Sequence, residues 1–442
     1  FPNQEVVEAC KKMGDLLIEY YGEGKYDLSK YGTRQGISAT TLLESIVMLY
    51  ERTLDKKYLD FAERIVKVSE ENPKHRLMGT MLEKGSVVYP GDGKGYQLMA
   101  NLLGYLRLYR CTGNQKYLQT ALHGWHEIKE KHILTTGGPW TRKMPYNGNK
   151  ECFAKADAFH PEKIVVEGCC DATWIQLNIH LFELTGDAKF FNESETTLLN
   201  SVYGHQYSDG MEWCYYTAPN ETHPEYEPRF HCCGSSEPRG MEMYSSHLAG
   251  VVHNNLSINT LSPFTIALSS QFGGGNVKIE SGFPLEQSSK ITFNLQEAKE
   301  FTAEFRMPSN TSILQVTVND KKVGAKQNER GFFECHQTWE KGDVMTIQYK
   351  YELKAHLQEG EAGRTWVAFT YGPIALAQKI TEMPDAEPLY DLAFKDPLDI
   401  VEMLSRPSNP GMEFNIKGMD ITLIPYYQTG SKESGPKTYF KL

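Results

Sequence analysis

The 442-residue sequence predicts an α/α toroid over residues 1–250, followed by a β-sandwich. Two observations carry that prediction: a threefold internal repeat in the first half, and a switch of hydrophobic period near residue 255. In the repeat, an apolar stretch with helical spacing meets a helix-stopping turn and then a second helix. The copies are Leu43-Glu44-Ser45-Ile46-Val47-Met48-Leu49-Tyr50 with Thr53-Leu54-Asp55-Lys56-Lys57, Leu102-Leu103-Gly104-Tyr105-Leu106-Arg107-Leu108-Tyr109 with Thr112-Gly113-Asn114-Gln115-Lys116, and Ile175-Gln176-Leu177-Asn178-Ile179-His180-Leu181-Phe182 with Thr185-Gly186-Asp187-Ala188-Lys189. Each reads as a helical hairpin, and repeated hairpins bury their apolar faces by stacking side by side.

Beyond residue 255 the period shortens to the alternation of strands. Ser289–Leu295, Thr302–Met307, Ile313–Asp320, Asp343–Tyr349 and Trp366–Tyr371 are the expected strands of a sandwich domain over 251–380. Residues 381–442 form a Pro-, Asp- and Glu-rich loop region with closing strands at Ile421–Tyr427 and Thr438–Leu442, packed on the sandwich or the toroid.

Composition narrows the function. A net charge of −10 without any Lys/Arg run argues against a nucleic-acid partner. No apolar run has the length of a membrane span, which argues against a membrane partner. The 25 tyrosines suit a protein whose rings pack on sugar faces, and equally a tyrosine-rich core. The chain opens Phe1-Pro2-Asn3-Gln4-Glu5 and enters an amphipathic helix with no visible signal peptide, so periplasm and cytoplasm both stay open.

The chemistry-bearing pattern is Glu167-Gly168-Cys169 together with the vicinal pair Cys232-Cys233. One carboxylate and three thiols make a plausible tetrahedral set for Zn2+, and a metal-held thiolate is a nucleophile. Buried cysteines also serve as small hydrophobes, and that reading stays open on spacing alone. Nine cysteines, an odd number without regular spacing, argue against a disulfide framework.

Several patches together resemble glycoside hydrolase family 127, the β-L-arabinofuranosidase type. They are Ile128-Lys129-Glu130-Lys131-His132-Ile133-Leu134-Thr135-Thr136-Gly137-Gly138, Glu151-Cys152-Phe153, Glu167-Gly168-Cys169 sixteen residues after Glu151, Trp213-Cys214-Tyr215-Tyr216-Thr217-Ala218-Pro219, and His231-Cys232-Cys233 with Arg239. In the expected sandwich, Val316-Thr317-Val318-Asn319, Trp339-Glu340-Lys341-Gly342-Asp343 and Tyr371-Gly372-Pro373-Ile374-Ala375-Leu376 extend the resemblance over the whole chain.

The resemblance implies a retaining glycosidase with an oligosaccharide or glycoside substrate, β-L-arabinofuranosides or a related plant-polysaccharide sugar. It makes Cys232 the nucleophile and Glu151 the acid/base. Glu167, Cys169, Cys232 and Cys233 become the zinc ligands, and Tyr216 a substrate contact. Arg239 suits a substrate hydroxyl or carboxylate, or an ion pair with a nearby Glu. His205, His223 and His231 are candidates for orienting groups.

Three departures accompany the resemblance. Gly234-Ser235-Ser236 replaces the family's Pro-Pro-Asn. The family's sugar-contacting histidines fall near Ala39, Lys94 and Met78–Met81, and a lysine there would suit an acidic sugar. The first repeat matches a later hairpin of the family's ring, which implies a toroid incomplete on its N-terminal side. A polysaccharide lyase and a non-catalytic, zinc-stabilised carbohydrate-binding protein are the alternatives from other classes.

Overall fold

The computed structural model describes residues 3–143, 150–207, 209–222, 224, 231–382, 404–405, 412–417 and 419–442. Its helical region contains all three expected hairpins. They are Leu43–Thr53 with Lys56–Glu71, Gly95–Thr112 with Gln115–Lys131, and Gly168–Thr185 with Ala188–Thr196.

The three turns share one chemistry. The last threonine of each first helix bonds back to the carbonyl four residues earlier, Thr53 to Leu49, Thr112 to Leu108 and Thr185 to Leu181. The next residue adopts a left-handed conformation, at Leu54, Gly113 and Gly186. An Asx cap then opens the second helix. Asp55 accepts from the Lys57 amide, Asn114 from Lys116 and Asp187 from Lys189. Replacing any one of these caps by alanine is expected to cost about 1 kcal/mol, measurable as a lowered midpoint in urea unfolding.

Helix Gly168–Thr185 is buried on every side from Gly168 to Phe182, which is why its sequence lacks an amphipathic stripe. Elsewhere the helices approach too closely for a side chain. A Cβ on Gly104 would lie 2.6 Å from Leu43 Cγ. Among the described residues, no helix is long and apolar enough to cross a membrane.

The β-rich region follows. A six-stranded antiparallel sheet carries Phe264–Ala267, Asn276–Ser281, Ser288–Asn294, Asp343–Tyr351, Thr311–Val318 and Lys321–Lys322 in that spatial order. A five-stranded sheet contains Lys299–Arg306 and Phe332–Trp339, with Asn255–Ile258 joined in parallel to Lys299–Arg306. Ile291, Phe293, Phe305, Trp339 and Ile347 from both sheets fill one core.

A third sheet holds Leu353–Glu359, Thr365–Tyr371 and Ile374–Ile380 and is joined by strands from the C-terminal stretch. There the expected run Ile421–Tyr427 is a strand only over Thr422–Pro425. Pro425 has no amide to continue a ladder, and the chain turns into a 3-10 segment at Tyr426. The expected Thr438–Leu442 strand is replaced by Gly435–Lys437 and Phe440–Lys441 on different neighbours. Most of the acidic, Pro-rich stretch before these strands lies outside the described residues.

Buried Arg306 of the five-stranded sheet pairs at 2.6 Å with Glu195 in the last hairpin. The Tyr244 hydroxyl donates to the same Glu195 carboxylate at 2.8 Å.

Candidate active site

The residues singled out in the sequence gather where several helices begin. Glu167 ends strand Ile164–Glu167 and occupies the N-cap position of helix Gly168–Thr185. Cys169 lies in that helix's first turn. Cys232 and Cys233 open helix Cys232–Ser245. His231 caps the latter, accepting from the Gly234 amide at 3.1 Å through Nδ1, while Nε2 donates to the Trp213 carbonyl at 3.1 Å. The positive ends of two helices thus face the thiols and favour their anionic form.

The ligand-type atoms of Glu167, Cys169, Cys232 and Cys233 all lie within 4.8 Å of one another. Cys233 Sγ is 3.5 Å from Cys169 Sγ and 4.0 Å from Cys232 Sγ. Glu167, Cys169 and Cys233 are buried, whereas Cys232 is exposed. All nine cysteines are unbridged.

Hydrogen bonds from Cys169 and Cys233 pull the Cys232 thiol far below its ordinary value, against its partial burial, and the Tyr215 hydroxyl 3.7 Å away adds to the effect. Cys169 is pushed up to about 12, chiefly by Cys232.

Glu151 is held by three donors. Lys94 Nζ stands 2.6 Å from its Oε2, Arg34 Nη2 is 3.2 Å from the same oxygen, and the Tyr216 hydroxyl donates to Oε1. Burial opposes ionisation, but Lys94, Tyr216 and Arg34 outweigh it and keep the carboxyl below its usual range. Glu151 also has a left-handed backbone (φ 59°), uncommon for a side chain of this kind. Backbone bonds secure it: Gly95 N to Glu151 O at 3.1 Å, and Glu151 N to Arg142 O at 2.9 Å.

Lys94 joins the two halves of the site. Its ammonium bridges Glu151 and Glu167, the latter at 2.5 Å, in a buried position. Two of its three N–H donors are thereby directed at protein carboxylates. Burial raises the Glu167 pKa, and Lys94 opposes that rise.

Tyr216 pairs with Glu167 across adjacent strands, which fixes its hydroxyl beside Glu151. Arg239 is exposed on helix Cys232–Ser245. It forms no ion pair among the described residues, so the pairing with a nearby glutamate is not made there. His231 is the helix cap just described, His205 is fully buried behind the site, and His223 lies outside the described residues.

Arg34, Tyr215 and the bridging role of Lys94 escape sequence reasoning. The only local signal is the glycine-rich turn Gly91-Asp92-Gly93-Lys94-Gly95, which presents Lys94 at a helix start. Nothing in the spacing relates Arg34 to Glu151.

Comparisons with known proteins identify the family. The family model of the β-L-arabinofuranosidase GH127 catalytic domain matches residues 2–246, and that of the GH127 middle domain matches residues 264–351. Among solved structures, the GH127 β-arabinofuranosidase BT3674 is 20% identical with a TM-score of 0.73, over 98% of this chain and 72% of that one. A GH127 β-L-arabinofuranosidase from Geobacillus stearothermophilus T6 is 16% identical with a TM-score of 0.73, over 97% and 75%. A structure described as a glycoside hydrolase is 17% identical with a TM-score of 0.70, over 98% and 79%. No curated protein matches. The two matched domains cover most of the sequence, and the chain belongs to glycoside hydrolase family 127, the β-L-arabinofuranosidase family of glycosidases.

Proposed function

We propose that this chain is a retaining glycosidase in which Cys232 is the nucleophile and Glu151 the acid/base, acting on β-L-arabinofuranosides or a related plant-polysaccharide sugar. The observation that carries the reading is the convergence of Glu167, Cys169, Cys232 and Cys233, with Cys232 as the accessible thiol. The donor set fits Zn2+. A tetrahedron with sulfur bonds of about 2.3 Å has edges of about 3.8 Å, and the sulfurs stand 3.5 and 4.0 Å apart. When bound, zinc holds these thiols as thiolates at neutral pH.

Cys232 Sγ then attacks the anomeric carbon as the glycosidic C–O bond breaks, and the departing oxygen takes a proton from Glu151, which its three donors hold mostly ionised at rest and which therefore acts through its protonated fraction. In the second step Glu151 takes a proton from water, the water oxygen bonds to the anomeric carbon, and sulfur leaves as thiolate. Two inversions give net retention. Tyr216, Arg34 and Lys94 orient Glu151 throughout. Tyr216 and Arg239 are assigned to the substrate side.

A screen of aryl furanosides and plant oligosaccharides, with and without chelator, tests this reading. We expect retained product stereochemistry, activity lost with the metal, and zinc at the cysteine site with sulfur distances of about 2.3 Å. Undiminished turnover by metal-free protein would overturn the zinc assignment. An unsaturated uronide product would favour the lyase alternative, and oligosaccharide binding without turnover the non-catalytic one.

The acid/base assignment makes a pH prediction. Removing a cation that stabilises the Glu151 carboxylate raises its pKa, so the protonated acid persists to higher pH. Arg34→Met should therefore move the alkaline limb of kcat/KM upward by about 0.5 to 1 unit. A limb that stays in place would detach Arg34 from the acid/base.

A further inference from the structure

Behind the cysteine cluster lies a second group of ionisable side chains that the proposed reaction does not use. Asp171, His205 and Glu237 are each 0% exposed, and their ligand-type atoms lie within 4.8 Å of one another. His205 Nδ1 is 3.3 Å from Asp171 Oδ2 and 3.7 Å from Glu237 Oε1. All four carboxylate oxygens of Asp171 and Glu237 lack a hydrogen-bond partner among the described residues. Buried polar atoms are rarely left so. The Ser201 hydroxyl sits beside Asp171, yet it too makes no hydrogen bond of normal geometry. No lysine or arginine pairs with either carboxyl group among the described residues.

The histidine defines what is missing. Its Nε2 faces the Val166 carbonyl at 3.2 Å, with the Thr217 hydroxyl at 3.4 Å. Donation from Nε2 to that carbonyl leaves a lone pair on Nδ1. Metal-bound histidines are commonly held this way, by a carbonyl on the far nitrogen. In the metal-free protein a proton on Nδ1 is donated to the Ser201 carbonyl at 2.9 Å; a cation between the two carboxyl groups would take that proton's place on Nδ1, with Nε2 then donating to Val166. The proton alone leaves the four carboxylate oxygens without donors.

We propose that Asp171, His205 and Glu237 form a second metal centre, taking a divalent first-row cation that accepts mixed nitrogen and oxygen ligands, such as Mn2+ or Zn2+. Two carboxylates and a neutral imidazole around a divalent ion make a net neutral buried unit, which removes the penalty of two uncompensated charges. Imidazole and carboxylate together suit such ions, and the absence of sulfur distinguishes this centre from its neighbour.

Its place in the fold gives it a consequence. Asp171 follows Cys169 by two residues on helix Gly168–Thr185, and Glu237 follows Cys233 by one turn on helix Cys232–Ser245. A cation held here clamps together the two helices that present the cysteines. A Cβ on Gly168 would stand 2.6 Å from Glu237 Oε1 and 3.0 Å from Cys233 Cβ, so the clamp leaves no slack between them.

The test uses the full chain and does not depend on the role of Cys232. Crystals of the wild-type protein are soaked with Mn2+ and, separately, Zn2+, and anomalous maps are computed. The expected result is a peak bounded by Asp171, His205 Nδ1 and Glu237, at about 2.0–2.2 Å from its ligands, separate from any density among the cysteines. Elemental analysis should show one metal equivalent fewer in Asp171→Asn and in Glu237→Gln than in wild type, with the thiolate-bound metal retained. Maps without a peak between Asp171 and Glu237 after both soaks would overturn the proposal, as would a carboxyl oxygen of one seated at hydrogen-bond distance from the other. The wild-type maps decide the matter even where the variants fail to fold.

Discussion

Replacing Cys232 by serine is expected to reduce turnover by on the order of 10⁵-fold, the scale of losing a nucleophile from a catalytic unit. The reason lies in the proton. The Cys232 thiol is surrounded by Cys169, Cys233 and Tyr215 in a way that stabilises its anion. A hydroxyl at the same place stays protonated under those conditions, and oxygen attacks far less readily than a thiolate. Because Cys232 is also one of the four convergent ligand-type residues, metal content must be read in the same sample. Loss of turnover with metal retained supports the nucleophile assignment. Wild-type turnover in the serine variant would remove Cys232 from the chemistry.

The second large effect is expected at Glu151. Glu151→Gln should leave the cysteine-site metal in place and slow hydrolysis of natural glycosides by about 10²- to 10⁴-fold, the usual worth of a general acid/base. The loss should be smallest for aryl glycosides whose leaving group departs without a proton. Azide, which needs no deprotonation, should restore part of the rate by replacing activated water. The amide introduced by this substitution keeps one acceptor: its carbonyl oxygen can stay with Lys94 and Arg34 while its NH2 donates to the Tyr216 hydroxyl oxygen. Full activity of this variant on a natural glycoside would leave the site resting on the cysteines alone.

The hairpins and the cysteine cluster are legible in the sequence because each is written in short local patterns. The Thr-x-Asx turn that closes every first helix falls within a few residues, and Glu167-Gly168-Cys169 and Cys232-Cys233 each occupy one helix start. The partners of Glu151 are not legible. Arg34 is 117 positions away from Glu151 and reaches it from a segment with two successive left-handed residues, Arg34 and Gln35. Lys94 is visible as a departure from the family's histidine, but its bridge to Glu167 spans 73 positions. The cluster of Asp171, His205 and Glu237 is invisible for the same reason, since three common residue types on three segments carry no spacing signal. The closing strands differ from the runs expected of them because a proline and a change of neighbour interrupt an apparently continuous alternation.

The polarity of the hairpins has a practical side. Lys94, Glu167 and Cys232 all stand at the starts of helices, while the hairpin turns lie at the ends. Helix Gly95–Thr112 has 18 residues, so Gly113 sits about 27 Å along the axis from the end that carries Lys94. A Cβ on Gly113 would meet nothing within 4 Å, and Leu54 in the neighbouring turn is 76% exposed. Those two turns are the natural attachment points for immobilising the enzyme on a support or fusing it to a second protein, because a tether there stays clear of the end where Lys94, Glu167 and Cys232 gather.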